Sequence, residues 1–160
     1  MIYLRLDERL LHGQVTTTWV GVLGVTHIVL ADDKVAEDTV QCQLLKMSAP
    51  QGIRLLITSV ERAVKVLNDP RSKNLKILTI CSNLDDVLMV LNGVSEITDV
   101  NLANYGFQAN QDTDEKQMLT SNLSVDEREL EIVRTIMGRR DLKVYCQVLA
   151  NQPPKPITIP

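Results

Sequence analysis

Hydrophobic positions along the 160-residue chain switch repeatedly between two periods. Short β-rich runs at residues 2–6, 27–31, 53–58, 75–81, 99–102 and 142–149 predict strands, and between them apolar residues recur every three or four positions. Val15, Trp19, Val22 and Leu23 form one helical stripe, Val60, Ala63, Val64 and Leu67 a second, and Leu84, Val87, Leu88 and Leu91 a third. Each stripe can cover one face of a sheet. Ser124 followed three residues later by Glu127 reads as a capping box; Leu130, Val133 and Met137 then form the buried side of a last helix that Gly138 ends.

Strands alternating with helices in this way predict a single-domain, three-layer α/β/α sandwich with a mostly parallel central sheet. Residues 1–150 form the domain, and residues 151–160 a Pro-rich tail expected to be extended and mobile. The polar stretch 104–122 lacks a clear period and is expected to be the longest loop. Ligands of such sheets bind beyond the carboxyl ends of the strands. The turns that matter are therefore 7–14, 32–33, 59, 82–83 and the segment after Leu102.

Composition narrows the chemistry. A net charge of -3, with one Trp, three Tyr and one Phe, gives no basic surface interleaved with stacking rings, so nucleic acid is not an expected partner. No apolar run approaches the roughly 20 residues needed to cross a bilayer, and the first residues alternate in character, so a cytoplasmic chain is expected. Cys42, Cys81 and Cys146 are widely spaced in apolar segments and read as reduced core thiols. Gly21 and Gly24 fall inside a helical stripe and no P-loop spacing occurs, which disfavours nucleotide cofactors. His12 and His27 have no companion ligands at metal-binding spacing, so neither metal nor other cofactor is expected. A serine nucleophile elbow is also missing.

The turn Asp7-Glu8-Arg9-Leu10-Leu11-His12-Gly13-Gln14 is different. It gathers carboxylates, a guanidinium and an imidazole between the first strand and the first helix. Neutral imidazole is a nucleophile near neutral pH, Arg9 could fork two donors onto phosphoryl oxygens, and Asp7 or Glu8 could hold Arg9 or the imidazole in place. Amides around Gly13 and Gln14 would open the helix towards an anion, and Gly13 would let backbone approach it closely. By residue types alone two readings stay open: a phosphohistidine site, or a solvated charged turn around a structural histidine. His27, at the start of the second strand, reads as structural or surface-exposed, and Trp19 as core.

The segment Arg5-Leu6-Asp7-Glu8-Arg9-Leu10-Leu11-His12-Gly13-Gln14-Val15 resembles the R-[IV]-D-x-R-L-[IL]-H-G-Q-V signature of the mannose/fructose/sorbose family of phosphotransferase-system enzyme IIB components. The resemblance extends to the residues 31–36, to Asp69-Pro70 and to the start of the last helix at residues 124–127. It implies a phosphotransferase in which His12 accepts a phosphoryl group, on Nδ1, from a IIA component and donates it to a sugar held by membrane IIC and IID components. Arg9 would stabilise the transferring group, with Asp7, Gly13 and Gln14 in support, and no cofactor would be needed. The chain would sit in the cytoplasm, peripherally associated with IIC and IID. Its sugar is not specified, since the family's selectivity is expected to reside in the membrane components, and a homo-oligomer stays open.

One segment departs from the family pattern. Where members typically carry a Gly-Gly or Gly-Asn pair, then Phe followed by Arg or Ser and a Gly-Lys, this chain has Ala103-Asn104-Tyr105-Gly106-Phe107-Gln108-Ala109-Asn110 followed by an acidic run at residues 112–115. Asn104, Tyr105 and Phe107 are expected to border the phosphoryl site, where the change would alter the sugar or the partner. Two alternatives to a transport component are a regulatory protein phosphorylated on His12 and a small anion-binding module.

Overall fold

The computed structural model describes residues 1–13, 15–108 and 115–160, with the backbone only at Thr16. Six parallel strands form the central sheet: β1 (Ile2–Asp7), β2 (His27–Ala31), β3 (Arg54–Thr58), β4 (Ile77–Cys81), β5 (Asp99–Asn104) and β8 (Lys143–Tyr145). Their order is β3-β2-β4-β1-β5-β8, so β1, which leads into the site segment, lies inside the sheet between β4 and β5. Ile2, Leu4 and Leu6 of β1 alternate onto one face, where α4 (Val60–Leu67), α5 (Leu84–Gly93) and α6 (Glu127–Met137) pack. The opposite face carries Ile28, Leu30, Leu78 and Ile80. It is covered by a short helical stretch and by α2 (Asp33–Glu37) and α3 (Thr39–Ser48). Period-two alternation thus feeds two cores, and the expected three-layer sandwich results.

Side-chain caps set most of the helix starts. Asp32, Asp38, Ser59 and Asn83 each accept a backbone N–H from the first turn of the helix that follows, satisfying donors that have no intrahelical partner. Asp32, Ser59 and Asn83 lie just past the carboxyl ends of β2, β3 and β4, so the edge that holds the site is rich in oxygen acceptors.

Several expectations need correction. α2 and α3 lack a clean apolar stripe, because Val40, Leu44 and Met47 are exposed and mainly Val35 and Leu45 face inward; periodicity therefore did not reveal them. In the first helical stretch, residues Val15–Trp19 form a π-turn before α1 (Val20–Leu23). One residue of extra winding rotates the stripe, so Val20 is buried and Val22 is 68% exposed. The presumed loop 104–122 contains β6 (Gln117–Thr120), which pairs antiparallel with β7 (Leu123–Val125). A four-residue strand with only Leu119 in the core offers too little alternation to detect.

Ser124, buried in β7, is not the helix cap; Asp126 is, in a reciprocal capping box with Glu129. The last strand is confined to Lys143–Tyr145. The tail is extended but fastened: Lys155 pairs with Cys146, and Ile157 and Ile159 pack on the core.

Candidate functional site

β1 ends at the middle of the sheet, and a register shift between Leu6 and Asp7 marks its pairing with β5. Such an irregularity re-aims the side chain at a strand end. Asp7, fully buried, is the hub of the site. Its Oδ2 accepts from Arg5 Nη2 at 2.9 Å and Nε at 3.3 Å, and lies 3.0 Å from His12 Nε2. Its Oδ1 accepts the Arg9 amide at 3.2 Å and the Asn104 side-chain amide at 3.4 Å, with Arg9 Nε at 3.6 Å. The turn that permits this is tight: Leu10 N donates to Asp7 O, and Leu10 takes φ 57°. That conformation is costly for leucine; burial of Leu10 and Leu11 in the second core offsets it.

Burial pushes the Asp7 carboxyl up, but the bonds and charges of His12 and Arg5 outweigh it and hold the group below the usual carboxylate range. Asp7 is therefore an anion at neutral pH, and an anion can only accept. The hydrogen on the His12 bond consequently resides on Nε2, which leaves the lone pair of the neutral ring on Nδ1.

Arg5 was not singled out as a site residue from the sequence, yet it is 1% exposed beneath this cluster. Burial lowers its pKa more than Asp7 restores it, but a guanidinium stays protonated in proteins. Carbonyls of Gln147 and Val148 accept from its Nη1 and Nη2, each at 3.3 Å. Trp19 covers it with its ring centroid 5.4 Å away and donates to Val148 O at 2.7 Å. The core role read for Trp19 is thus joined to support of the site. A charged residue in a β1 position that alternation assigns to a buried face was the available signal.

Arg9 keeps 44% of its side chain exposed, within reach of an incoming group. Glu8 reaches across to the loop after β5. Its carboxylate accepts the amides of Gly106 and Phe107 at 3.0 and 3.1 Å, and its carbonyl accepts Gln108 Nε2 at 2.9 Å. The loop after β5 is thereby clamped to the turn, with Asn104 at the hub and Phe107 beside it. Tyr105 differs from the expectation in part: it is buried in the core and its hydroxyl donates to Glu129 at 2.6 Å, away from His12, although its ring lines an adjoining groove with Asp32, Ser82 and Asp86. An added Cβ at Gly13 would meet nothing within 4 Å, and the Gly13 carbonyl accepts the Thr17 hydroxyl at 2.6 Å. Gln14, the end of the loop at residues 109–110 and the acidic residues 112–114 lie outside the described residues. His27 sits at the opposite, amino end of β2, with Nδ1 2.8 Å from the Thr26 hydroxyl.

The arrangement is an anion–imidazole dyad backed by one buried cation and faced by one accessible cation. It can present a ring nitrogen as a nucleophile and stabilise oxyanions beside it. A family model described as "PTS system sorbose subfamily IIB component" matches residues 1–158. The chain belongs to that family. As a IIB component it is a phosphotransferase of the sugar phosphotransferase system. A probable phosphotransferase enzyme IIB component of Streptococcus pyogenes is 34% identical over 148 residues, 92% of this chain and 91% of that one. The mannose-specific EIIAB component of Escherichia coli is 32% identical over 84% of this chain but only 40% of its own length. The crystal structure of the IIBSor domain of the sorbose permease from Klebsiella pneumoniae superposes with a TM-score of 0.85 at 29% identity, covering 97% of this chain and 92% of that one. Among the described residues, no helix is long and apolar enough to cross a membrane.

Proposed function

We propose that His12 is the phosphoryl carrier of this IIB chain and that Nδ1 is the atom that carries it. Nδ1 attacks phosphorus on a phosphohistidine of a IIA partner; the donor P–N bond breaks as the new one forms. The ring gains positive character, and Asp7, bonded to Nε2–H, offsets it without taking the proton, the role the carboxylate plays in a Ser-His-Asp triad. In the second step a sugar hydroxyl attacks phosphorus, the P–Nδ1 bond breaks, the hydroxyl proton passes to solvent and neutral His12 is restored. Arg9 neutralises the transferring oxygens, and Gly13, which carries no side chain, leaves room for them beside His12. Little else is required, because phosphoryl transfer is mostly positioning and charge stabilisation.

The partners follow from the family: a IIA donor, which in the E. coli mannose relative shares a chain with the B part according to its name, and membrane IIC and IID components that hold the sugar. The chain would act in the cytoplasm, peripherally docked on them. The observation that carries this reading is the 3.0 Å contact of His12 Nε2 with a buried, ionised Asp7. Incubation with phosphoenolpyruvate, enzyme I, HPr and a cognate IIA should place one acid-labile, base-stable phosphate on His12, read by intact mass and peptide mapping. An unlabelled wild type beside a labelled reference IIB would refute the carrier role, and labelling of His12→Ala would refute the site.

A further inference from the structure

A groove of about 370 Å³ opens beside Arg9, lined by Glu8, Asn104, Phe107, Gln108, Asn122 and Val148. Its volume is within the roughly 300–1,000 Å³ range of small-molecule sites. Three carboxamides meet there, and each is half used. Asn104 donates from Nδ2 to Asp7, and Gln108 from Nε2 to the Glu8 carbonyl. Asn122 accepts through Oδ1 from Lys155 Nζ at 2.7 Å and from the Ser121 hydroxyl. Among the described residues, the Asn104 and Gln108 oxygens and the Asn122 amide nitrogen have no partner. The existing bonds fix the orientation of each amide, so the groove offers two acceptors and one donor in set positions.

The fourth element is apolar. Phe107, the chain's one phenylalanine, stays 50% exposed although its backbone is held. Its own amide and that of Gly106 are both bound by Glu8. Gly106, at φ 96°, lies so close to Ser124 that an added Cβ would fall 1.9 Å from the Ser124 carbonyl oxygen. An aromatic ring kept in water on a rigid loop is a binding platform more readily than a packing residue.

From this we infer that the chain itself carries a subsite for the non-reacting part of the sugar, with Phe107 stacking on the C–H face of the ring and Asn104, Gln108 and Asn122 bonding its hydroxyls. Aliphatic C–H groups carry partial positive charge onto the negative face of an aromatic ring, and hydroxyls both donate and accept, matching the mixed amide set. Arg9 lies at the same rim, so a phosphoryl group beside it would be contiguous with a sugar in the groove. Selectivity would then be shared between this chain and its membrane partners. The inference rests on the carrier reading of His12, but its test needs no phosphoryl donor.

The full chain, 15N-labelled, is titrated with inorganic phosphate and with phosphate monoesters of mannose, sorbose and galactose. The side-chain NH2 resonances of Asn104, Gln108 and Asn122 report the groove. At least one ester should bind roughly tenfold more tightly than phosphate, the scale of one aromatic contact, and should shift those resonances. Phe107→Ala should bring that ester to within about twofold of phosphate while phosphate binding is unchanged. Esters that bind no better than phosphate, or not at all, overturn the subsite. So does a preference that survives Phe107→Ala, or one whose shifts avoid the three amides. Because His12 labelling is scored separately, a failed subsite leaves the carrier reading standing, and a failed carrier reading is seen there first.

Discussion

Asp7→Asn should separate the electrostatic role of the hub from its shape. Asparagine is nearly isosteric and can still accept from His12 Nε2–H through its carbonyl, so the local hydrogen-bond pattern can persist. The charge does not. Arg5, at 1% exposure, would then be a buried cation whose remaining charge-free acceptors include two main-chain carbonyls at 3.3 Å. Removing one partner of a buried pair costs about 3–5 kcal/mol. For a chain of this size that corresponds to a fall in Tm of about 6–20 °C.

Removing both charges should restore much of that loss, since apolar replacements of buried pairs are often near neutral; Arg5→Met combined with Asp7→Asn should therefore unfold at higher temperature than Asp7→Asn alone. The pH dependence has a definite sign. The folded Asp7 pKa lies below its unfolded value, so its contribution is complete above the unfolded value of about 3.9 and fades only as pH falls towards the folded one. The gap between wild type and Asp7→Asn should hold from neutral pH down to about 4 and narrow below. Calorimetry or urea denaturation across pH reads all three. A single variant within about 1 kcal/mol of wild type, or a double variant no better than the single, would refute the ion-pair account.

Arg9→Ala should slow phosphorylation of His12 by roughly 10- to 1000-fold, the scale of one lost transition-state donor, with unchanged Tm, as measured in single-turnover transfer from IIA. Gly106→Ala should free the 104–108 loop from Glu8, because the added methyl has no room against Ser124; amide hydrogen exchange at position 106 and at Phe107 should rise while that of β1 does not. Asp86→Asn should stabilise the protein at neutral pH. Burial, opposed by the Asn83 bond and aided by Asp32, raises this half-buried carboxyl to about 6, so its ionisation opposes folding as pH rises through that value. The gain should disappear as pH falls towards about 4, followed by denaturant midpoints.

How much of the molecule was legible in its sequence depended on whether a residue's role is local. The strands of the central sheet could be read because long runs of apolar residues must be buried on both faces. That Asp7, Arg9 and His12 lie together could be read because they are contiguous in the chain. A charge within buried β1 marked Arg5 as unusual, but its role could not be read, since its carbonyl partners are 142 and 143 residues away. Neither could the divided labour of the two acids, where Asp7 takes the imidazole and Glu8 the loop. β6 and the true cap Asp126 were missed for a related reason: Leu119 is held by the core of the whole domain, and Ser124 mimics a cap signal that its place in β7 forbids. The π-turn at Val15–Trp19 shifted a stripe that a regular period placed one residue off.

The clamp of Gln147 and Val148 on Arg5 and Trp19 bears on the order of events in synthesis. The carbonyls that fix the buried guanidinium leave the ribosome 142 and 143 residues after Arg5 itself. A nascent or cleaved chain that stops before residue 147 would hold the whole signature and still lack the support under Asp7. An ordered Asp7 hub is in that sense a report that the segment beyond β8 has been made and has docked.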